Sequence, residues 1–344
     1  MTRRQLVRGL VGFGVIAGWP LAAGAITQRA HLYDAWKGAF VRPDGRVVDP
    51  AQRDASTSEG QGYGMILALE AGDEAGFDAM WAWTQQHLAV RGDPLLAWRW
   101  LPGQGVSDRN DASDGDLLVA WALARASLTR PALAAPARAL AEAIRTTLLR
   151  DTAWGTVLLP AVEGFDTPAG QVVNLSYWVF PAFAELARVD PSPKWEALRD
   201  SGLRLLSIAR FGRWALPPDW LLLINPLAPD PNRPQRYGYE AVRIPLYLAW
   251  AGLASPERIA PFRAFWSSFR CEGYLPAWAN FADDSIDSYG ASPGMRAIRD
   301  WLTAGAAPPA DGRTLAQSGY YSATLAALVQ AASRQMPRPP APGA

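Results

Sequence analysis

Apolar positions along this chain fall into long blocks, and each block begins just after a cluster of glycine, polar and aromatic residues. Five starts stand out: SEGQGYGMILALEAG from Ser58, SDGDLLVAWALARA from Ser113, NLSYWVFPAFAELA from Asn174, GYEAVRIPLYLAWAGL from Gly238 and SGYYSATLAALVQAA from Ser318, spaced 55 to 80 residues apart. A segment that is apolar on every face predicts a buried helix. Between these blocks lie more polar stretches, FDAMWAWTQQHL from Phe77, ARALAEAIRTTLL from Ala137 and WEALRDSGLRLLSIA from Trp195. Their apolar residues recur at three- and four-residue intervals, which predicts helices with one exposed face. Long alternating strand patterns are absent. A buried helix followed by a half-exposed one, repeated five or six times, predicts an all-α toroid of helical hairpins with a small number of short strands in its loops.

In such a toroid the inner helices run parallel, and their N-termini open on one face. The polar starter clusters then meet there, bringing Glu59, Asp114, Asp116, Tyr177, Glu240, Arg243, Tyr320 and Tyr321 together from distant positions. For Ser113, Asp116 and Ser318, helix capping and first-turn acidity are the favoured reading. Glu59 is different. It sits in TSEGQGYGM, where Gly60, Gly62 and Gly64 clear side chains from the backbone around it. A carboxyl held there against Tyr63 and other aromatics loses hydration, which raises its pKa and keeps a proton for donation. Asp114 has two readings of equal weight, a cap for its own helix or a carboxylate aimed across the opening.

Composition narrows the chemistry. The 344 residues are 49% hydrophobic and carry 33 Lys and Arg against 32 Asp and Glu, so no basic field exists to hold nucleic acid. One cysteine, Cys271, and two histidines, His31 and His87, exclude a disulfide framework and a Cys/His zinc cluster. Sixteen tryptophans are more than a core of this size needs, and their planar faces suit a ligand such as a sugar chain. Residues 1–25 have the form of an export signal: Arg3, Arg4 and Arg8, then an apolar stretch, then Ala23-Gly24-Ala25. TRRQLVR at Thr2 to Arg8 also has the form of a twin-arginine signal, and the general secretory route stays open. The expected mature protein is one domain over residues 26–335 with a Pro-rich tail at 336–344. It is expected in the periplasm or outside the cell, with no stable membrane insertion after signal removal.

Four motifs in order carry a resemblance: TSEGQGYGM around Glu59, ASDGD at Ala112 to Asp116, NLSY at Asn174 to Tyr177, and RYGYEAVRIPLYLAW from Arg236. Together they resemble family 8 glycoside hydrolases, most closely the periplasmic endoglucanases that accompany bacterial cellulose synthases. The resemblance covers nearly the whole expected mature chain. It implies an (α/α)6 barrel, hydrolysis of β-1,4-glucan with inversion, and chemistry without a metal or cofactor. It makes Glu59 the general acid, Asp114 the carboxylate that holds the sugar in ionised form, and Tyr177 the tyrosine near the attacking water. Arg243 becomes the arginine beside the base and Trp98 a stacking surface, with Trp100 and Tyr63 as further substrate contacts and Trp178 or Trp278 as additional faces. Where the family has an aspartate base in YDA, this chain has Tyr239-Glu240-Ala241, so the base role falls to Glu240 with one extra methylene. The implied partners are a cellulose chain and the synthase export machinery. Two alternatives remain: a non-hydrolytic glucan-binding factor on the same fold, and a hydrolase of chitosan, xylan or mixed-linkage glucan.

Overall fold

The computed structural model describes residues 32–269, 273–305 and 312–336. The expected export signal, His31, Cys271 and the tail beyond Met336 lie outside the described residues. The chain forms six consecutive helical pairs: α1 (32–40) with α2 (Ser58–Ala71), α3 (Glu74–His87) with α4 (Ser113–Ala126), α5 (Ala134–Ala143) with α6 (Phe183–Val189), α7 (Lys194–Ile208) with α8 (Ile244–Trp250), α9 (Pro256–Ser268) with α10 (Pro293–Ala304), and α11 (Gly312–Gln317) with α12 (Tyr320–Gln335). The second member of each pair belongs to an inner ring. Helix α2 packs on α4 and α12, α4 on α6, the 3-10 turn leading into α6 on α8, and α10 on both α8 and α12, which closes the circle.

Helices α2 and α4 show why these segments go inside. Nearly every residue of α4 is buried, including all of Leu117–Ala124. Thr57 Oγ1 caps α2 by accepting from Gly60 N at 3.0 Å, and Gly72 ends it with φ 75°, a left-handed conformation that glycine adopts without strain. The two helices touch at Gly62, where a Cβ would come within 2.5 Å of Leu118 Cβ. Only a bare backbone fits there. Deeper in the barrel, Trp121 of α4 meets Trp250 of α8 edge to face at 5.0 Å, and Trp36 of α1 donates to Thr324 Oγ1 of α12 at 3.0 Å.

The five inner starts read from the apolar pattern correspond to α2, α4, α6, α8 and α12. The sixth inner helix, α10, is amphipathic: Met295, Ala297, Ile298, Trp301 and Leu302 are buried while Arg296 is exposed. Its Arg296, Arg299, Asp300 and Thr303 line a separate open pocket, so one side of α10 keeps polar residues. Strands of at most four residues lead into the inner helices: β1 (Ser56–Thr57) into α2, β3 (Gly105–Asp108) towards α4, β7 (Gly170–Val173) towards α6 and β10 (Arg236–Tyr237) towards α8. β1 pairs with β2 (Arg99–Leu101) and β2 with β3, while β10 pairs with β11 (Ala279–Asn280). These ladders fix the loops around the mouth of the barrel. No helix among the described residues is long and apolar enough to cross a membrane.

Candidate active site

A cleft of about 430 Å³ opens at the N-terminal ends of the inner helices. Glu59, Trp98, Asp114, Tyr177, Tyr239, Glu240, Arg243, Tyr320 and Tyr321 all line it. Each comes from the start of an inner helix or the turn just before one, except Trp98, whose backbone is held by Ser58 N donating to its carbonyl at 3.0 Å and by its own N–H donating to Asn110 O at 2.9 Å.

Arg243 organises the floor. Its Nη1 donates to Glu59 Oε1 and its Nη2 to Glu240 Oε2. Nη2 also donates to Ser176 Oγ at 3.1 Å and lies 3.8 Å from Asp114 Oδ2. The terminal nitrogens of a planar guanidinium are ~2.3 Å apart, so two carboxylates bound to it at hydrogen-bond length lie within ~9 Å of each other. Glu59 and Glu240 can therefore flank a single bond of a ligand. Asn174 Nδ2 gives Glu240 Oε2 a second donor at 3.3 Å, and Asn174 Oδ1 accepts from Ser176 N and Oγ at 3.0 and 2.7 Å. The extra methylene of Glu240 does not take its carboxylate out of reach of these partners.

Glu59, Asp114 and Glu240 all face the one guanidinium of Arg243. Burial pushes the Asp114 carboxyl well above the usual range, the Glu59 charge pushes it further, and Arg243 opposes only in part. Burial also raises Glu240, against the pull of Arg243. Burial alone would discharge Arg243, but Tyr63, Glu240 and Glu59 hold its pKa well above the ordinary value, so it stays a cation. Burial acts against the expectation of an ionised Asp114. Its side chain accepts only from Gly115 N, at 2.8 Å, and is almost fully buried, so desolvation dominates.

Two expected substrate contacts sit elsewhere. Tyr63, 1% exposed, lies one helical turn below Glu59. Its hydroxyl donates to Glu59 Oε1 at 3.2 Å and pairs with Tyr247 OH at 2.8 Å, so it braces the carboxylate from beneath and does not line the cleft. Trp100 follows a bulge between Arg99 and Trp100 that breaks the alternation after Trp98. Trp100 packs on Trp83 at 5.6 Å under the Arg46 guanidinium, away from the cleft lining. Trp178 is fully buried against Gly202, and Trp278 lies outside the cleft lining under Arg236.

One residue of this site left no mark in the apolar pattern. Asp219, 4% exposed, accepts from Gly238 N at 2.9 Å, Glu240 N at 3.2 Å and Ala241 N at 2.9 Å through one oxygen. It thereby ties down the turn that carries Glu240. Burial outweighs these bonds and pushes its carboxyl up to about 6. A loop aspartate that ties down a turn through backbone N–H groups has no periodicity to reveal it.

Comparison with known proteins fits this geometry. Residues 13–335 match the model for glycosyl hydrolases family 8. The chain is 37% identical over 318 residues to a probable endoglucanase of Novacetimonas hansenii, covering 90% of this chain and 91% of that one. It is 34% identical over 312 residues to an endoglucanase of Cellulomonas uda, covering 87% and 84%. Among solved structures, the endo-beta-1,4-glucanase CMCax from Acetobacter xylinum superposes with a TM-score of 0.84 at 36% identity, covering 90% of this chain and 99% of that one. The helical barrel, its cleft and these matches together establish that the chain belongs to glycosyl hydrolase family 8.

Proposed function

We propose that this protein is an endo-β-1,4-glucanase that cleaves cellulose chains by an inverting general acid/base mechanism. The observation that carries the reading is Arg243, which binds one carboxylate from α2 and one from the turn entering α8 at the floor of an aromatic-walled cleft. Glu59 as a carboxylic acid gives its proton to the glycosidic oxygen while the bond from that oxygen to the anomeric carbon breaks. Glu240 as a carboxylate takes a proton from a water that attacks the anomeric carbon on the opposite face. The proton lost by one carboxyl is gained by the other, so the pair must reset through solvent before the next turnover.

The remaining groups support this division. Asn174 and Arg243 orient Glu240, and Tyr177, whose ring lies 5.6 Å from the Arg243 guanidinium, stands beside the space for the attacking water. Asp114, whose carboxyl burial pushes up, accepts from Gly115 N through one oxygen and offers the other side of the group to a sugar hydroxyl. Trp98 offers a half-buried indole to the C–H face of a glucose ring. The export-signal form of residues 1–25 favours work in the periplasm or outside the cell, and the resemblance in the four motifs favours work alongside cellulose synthesis and export.

The test is the time course of carboxymethylcellulose digestion, following viscosity and reducing ends together. An endo-acting enzyme drops the viscosity while few reducing ends have formed. A protein that binds cello-oligosaccharides and releases no reducing ends is the non-hydrolytic alternative. Faster cleavage of chitosan, xylan or mixed-linkage glucan than of carboxymethylcellulose would move the substrate within the family.

A further inference from the structure

A second group of aromatic side chains continues from the cleft at Tyr239. Tyr239, next to Glu240, lines the cleft, and its hydroxyl pairs with Tyr289 OH at 2.8 Å. Tyr289 OH also accepts from Trp278 Nε1 at 3.0 Å. Tyr289 is 66% exposed, and no other aromatic among the described residues is exposed. Tyrosine ordinarily buries its ring and wets its hydroxyl. Here the hydroxyl is tied to protein and the ring faces water.

The ring is also held still. Asp287, 3% exposed, accepts from Tyr289 N at 3.0 Å and from Trp278 N at 3.2 Å, one through each oxygen, and its carbonyl accepts from Tyr274 OH at 2.8 Å. One buried carboxylate thus locks the turn bearing Tyr289 to the segment bearing Trp278. The Arg236 guanidinium lies 5.6 Å from the Tyr239 ring and 5.7 Å from Trp278, and it reaches Asp219 at 3.5 Å. Tyr239 lines the cleft beside Glu240 and bonds Tyr289 through its hydroxyl, so the aromatic surface runs on from the cleft to Tyr289.

We propose that Tyr289, braced by Tyr239 and Trp278, is an outlying platform for glucose units of the same β-1,4-glucan chain beyond those held in the cleft. The occupant follows from continuity: a chain leaving the cleft past Tyr239 meets this ring next, and an uncharged aromatic face suits the C–H face of a sugar. The proposal rests on the glucanase reading and adds a chain-length preference to it.

The experiment compares kcat/KM across cello-oligosaccharides from cellotriose to cellohexaose for wild type, Tyr289→Ala and Tyr289→Phe, with thermal unfolding to confirm the fold. The ratio of cellohexaose to cellotriose should fall roughly 3- to 10-fold in Tyr289→Ala, about the worth of one aromatic contact, and stay near wild type in Tyr289→Phe, which keeps the ring. An unchanged ratio in Tyr289→Ala overturns the platform. So does an equal loss in both variants, which would make the hydroxyl brace on Tyr239 the whole effect. A wild-type protein that neither cleaves nor binds any of these oligosaccharides overturns the glucanase reading itself, a result distinct from active enzyme with no chain-length effect.

Discussion

Replacing Arg243 by Met removes the one cation on the floor of the cleft while keeping most of the side-chain volume. Glu59, Glu240 and Asp114 then face one another with no counter-charge. Taking one partner from a buried ion pair costs ~3–5 kcal/mol when the remaining charge cannot escape. The Glu59 and Glu240 side chains keep 24% and 30% exposure, so the lower end applies, about 3 kcal/mol. For a chain of this size that lowers Tm by roughly 6 °C at neutral pH. The carboxyls can relieve the strain by binding protons, and this sets the sign of the pH dependence. The folded variant holds protons that the unfolded chain has already released, so its stability falls as pH rises, by ~1.4 kcal/mol per pH unit for each retained proton. Between pH 5 and pH 8 one such carboxyl adds up to about 4 kcal/mol to the deficit. The assay is thermal unfolding of variant and wild type at both pH values, with turnover measured alongside. Turnover at pH 7 should drop at least 10²-fold, since a protonated Glu240 cannot act as base. A deficit equal at pH 5 and pH 8 would refute the claim that Arg243 is the counter-ion of this carboxyl cluster.

Other substitutions test separate parts of the site. Glu59→Gln keeps shape and hydrogen bonding but has no acidic proton, so turnover on an unactivated glucan should fall ~10²–10⁴-fold with cello-oligosaccharide binding retained, as calorimetry would show. Glu240→Gln should abolish turnover, whereas Glu240→Asp should retain it; because burial raises the Glu240 carboxyl, the acid limb of the wild-type kcat/KM profile should lie above the ordinary glutamate value of ~4.3. Gly62→Ala drives a methyl into Leu118 where α2 crosses α4 and should cost ~1–3 kcal/mol or more in denaturant unfolding, far beyond a typical exposed Gly→Ala change.

Much of this architecture was legible because burial leaves a strong mark on sequence. The blocks from Ser58 and Ser113 are apolar all round because α2 and α4 are enclosed by neighbours on every side, and the helix bounds begin at those residues. Helix α10 escaped notice because its Arg296, Arg299, Asp300 and Thr303 face an open pocket, so its pattern resembles that of an outer helix. Site residues at inner N-termini were found for the same geometric reason: parallel helices in a ring must converge their first turns. Tyr63 was misplaced by one turn of depth, since four residues after Glu59 points down the barrel and not across its mouth. Trp100 was misplaced by a bulge, which sequence spacing does not announce. The upward shift of the Asp114 carboxyl depends on its burial and on how few donors reach it, a property of the packed cluster and not of the ASDGD motif.

The most direct test of the central claim, hydrolysis of a β-1,4-glucan between Glu59 as acid and Glu240 as base, is proton NMR of cellopentaose cleavage by the wild-type protein at early times. Attack by a water held on the face opposite the leaving oxygen predicts that the new reducing ends appear first as the α-anomer and drift towards equilibrium afterwards. First appearance as the β-anomer, or no cleavage at all, would contradict it.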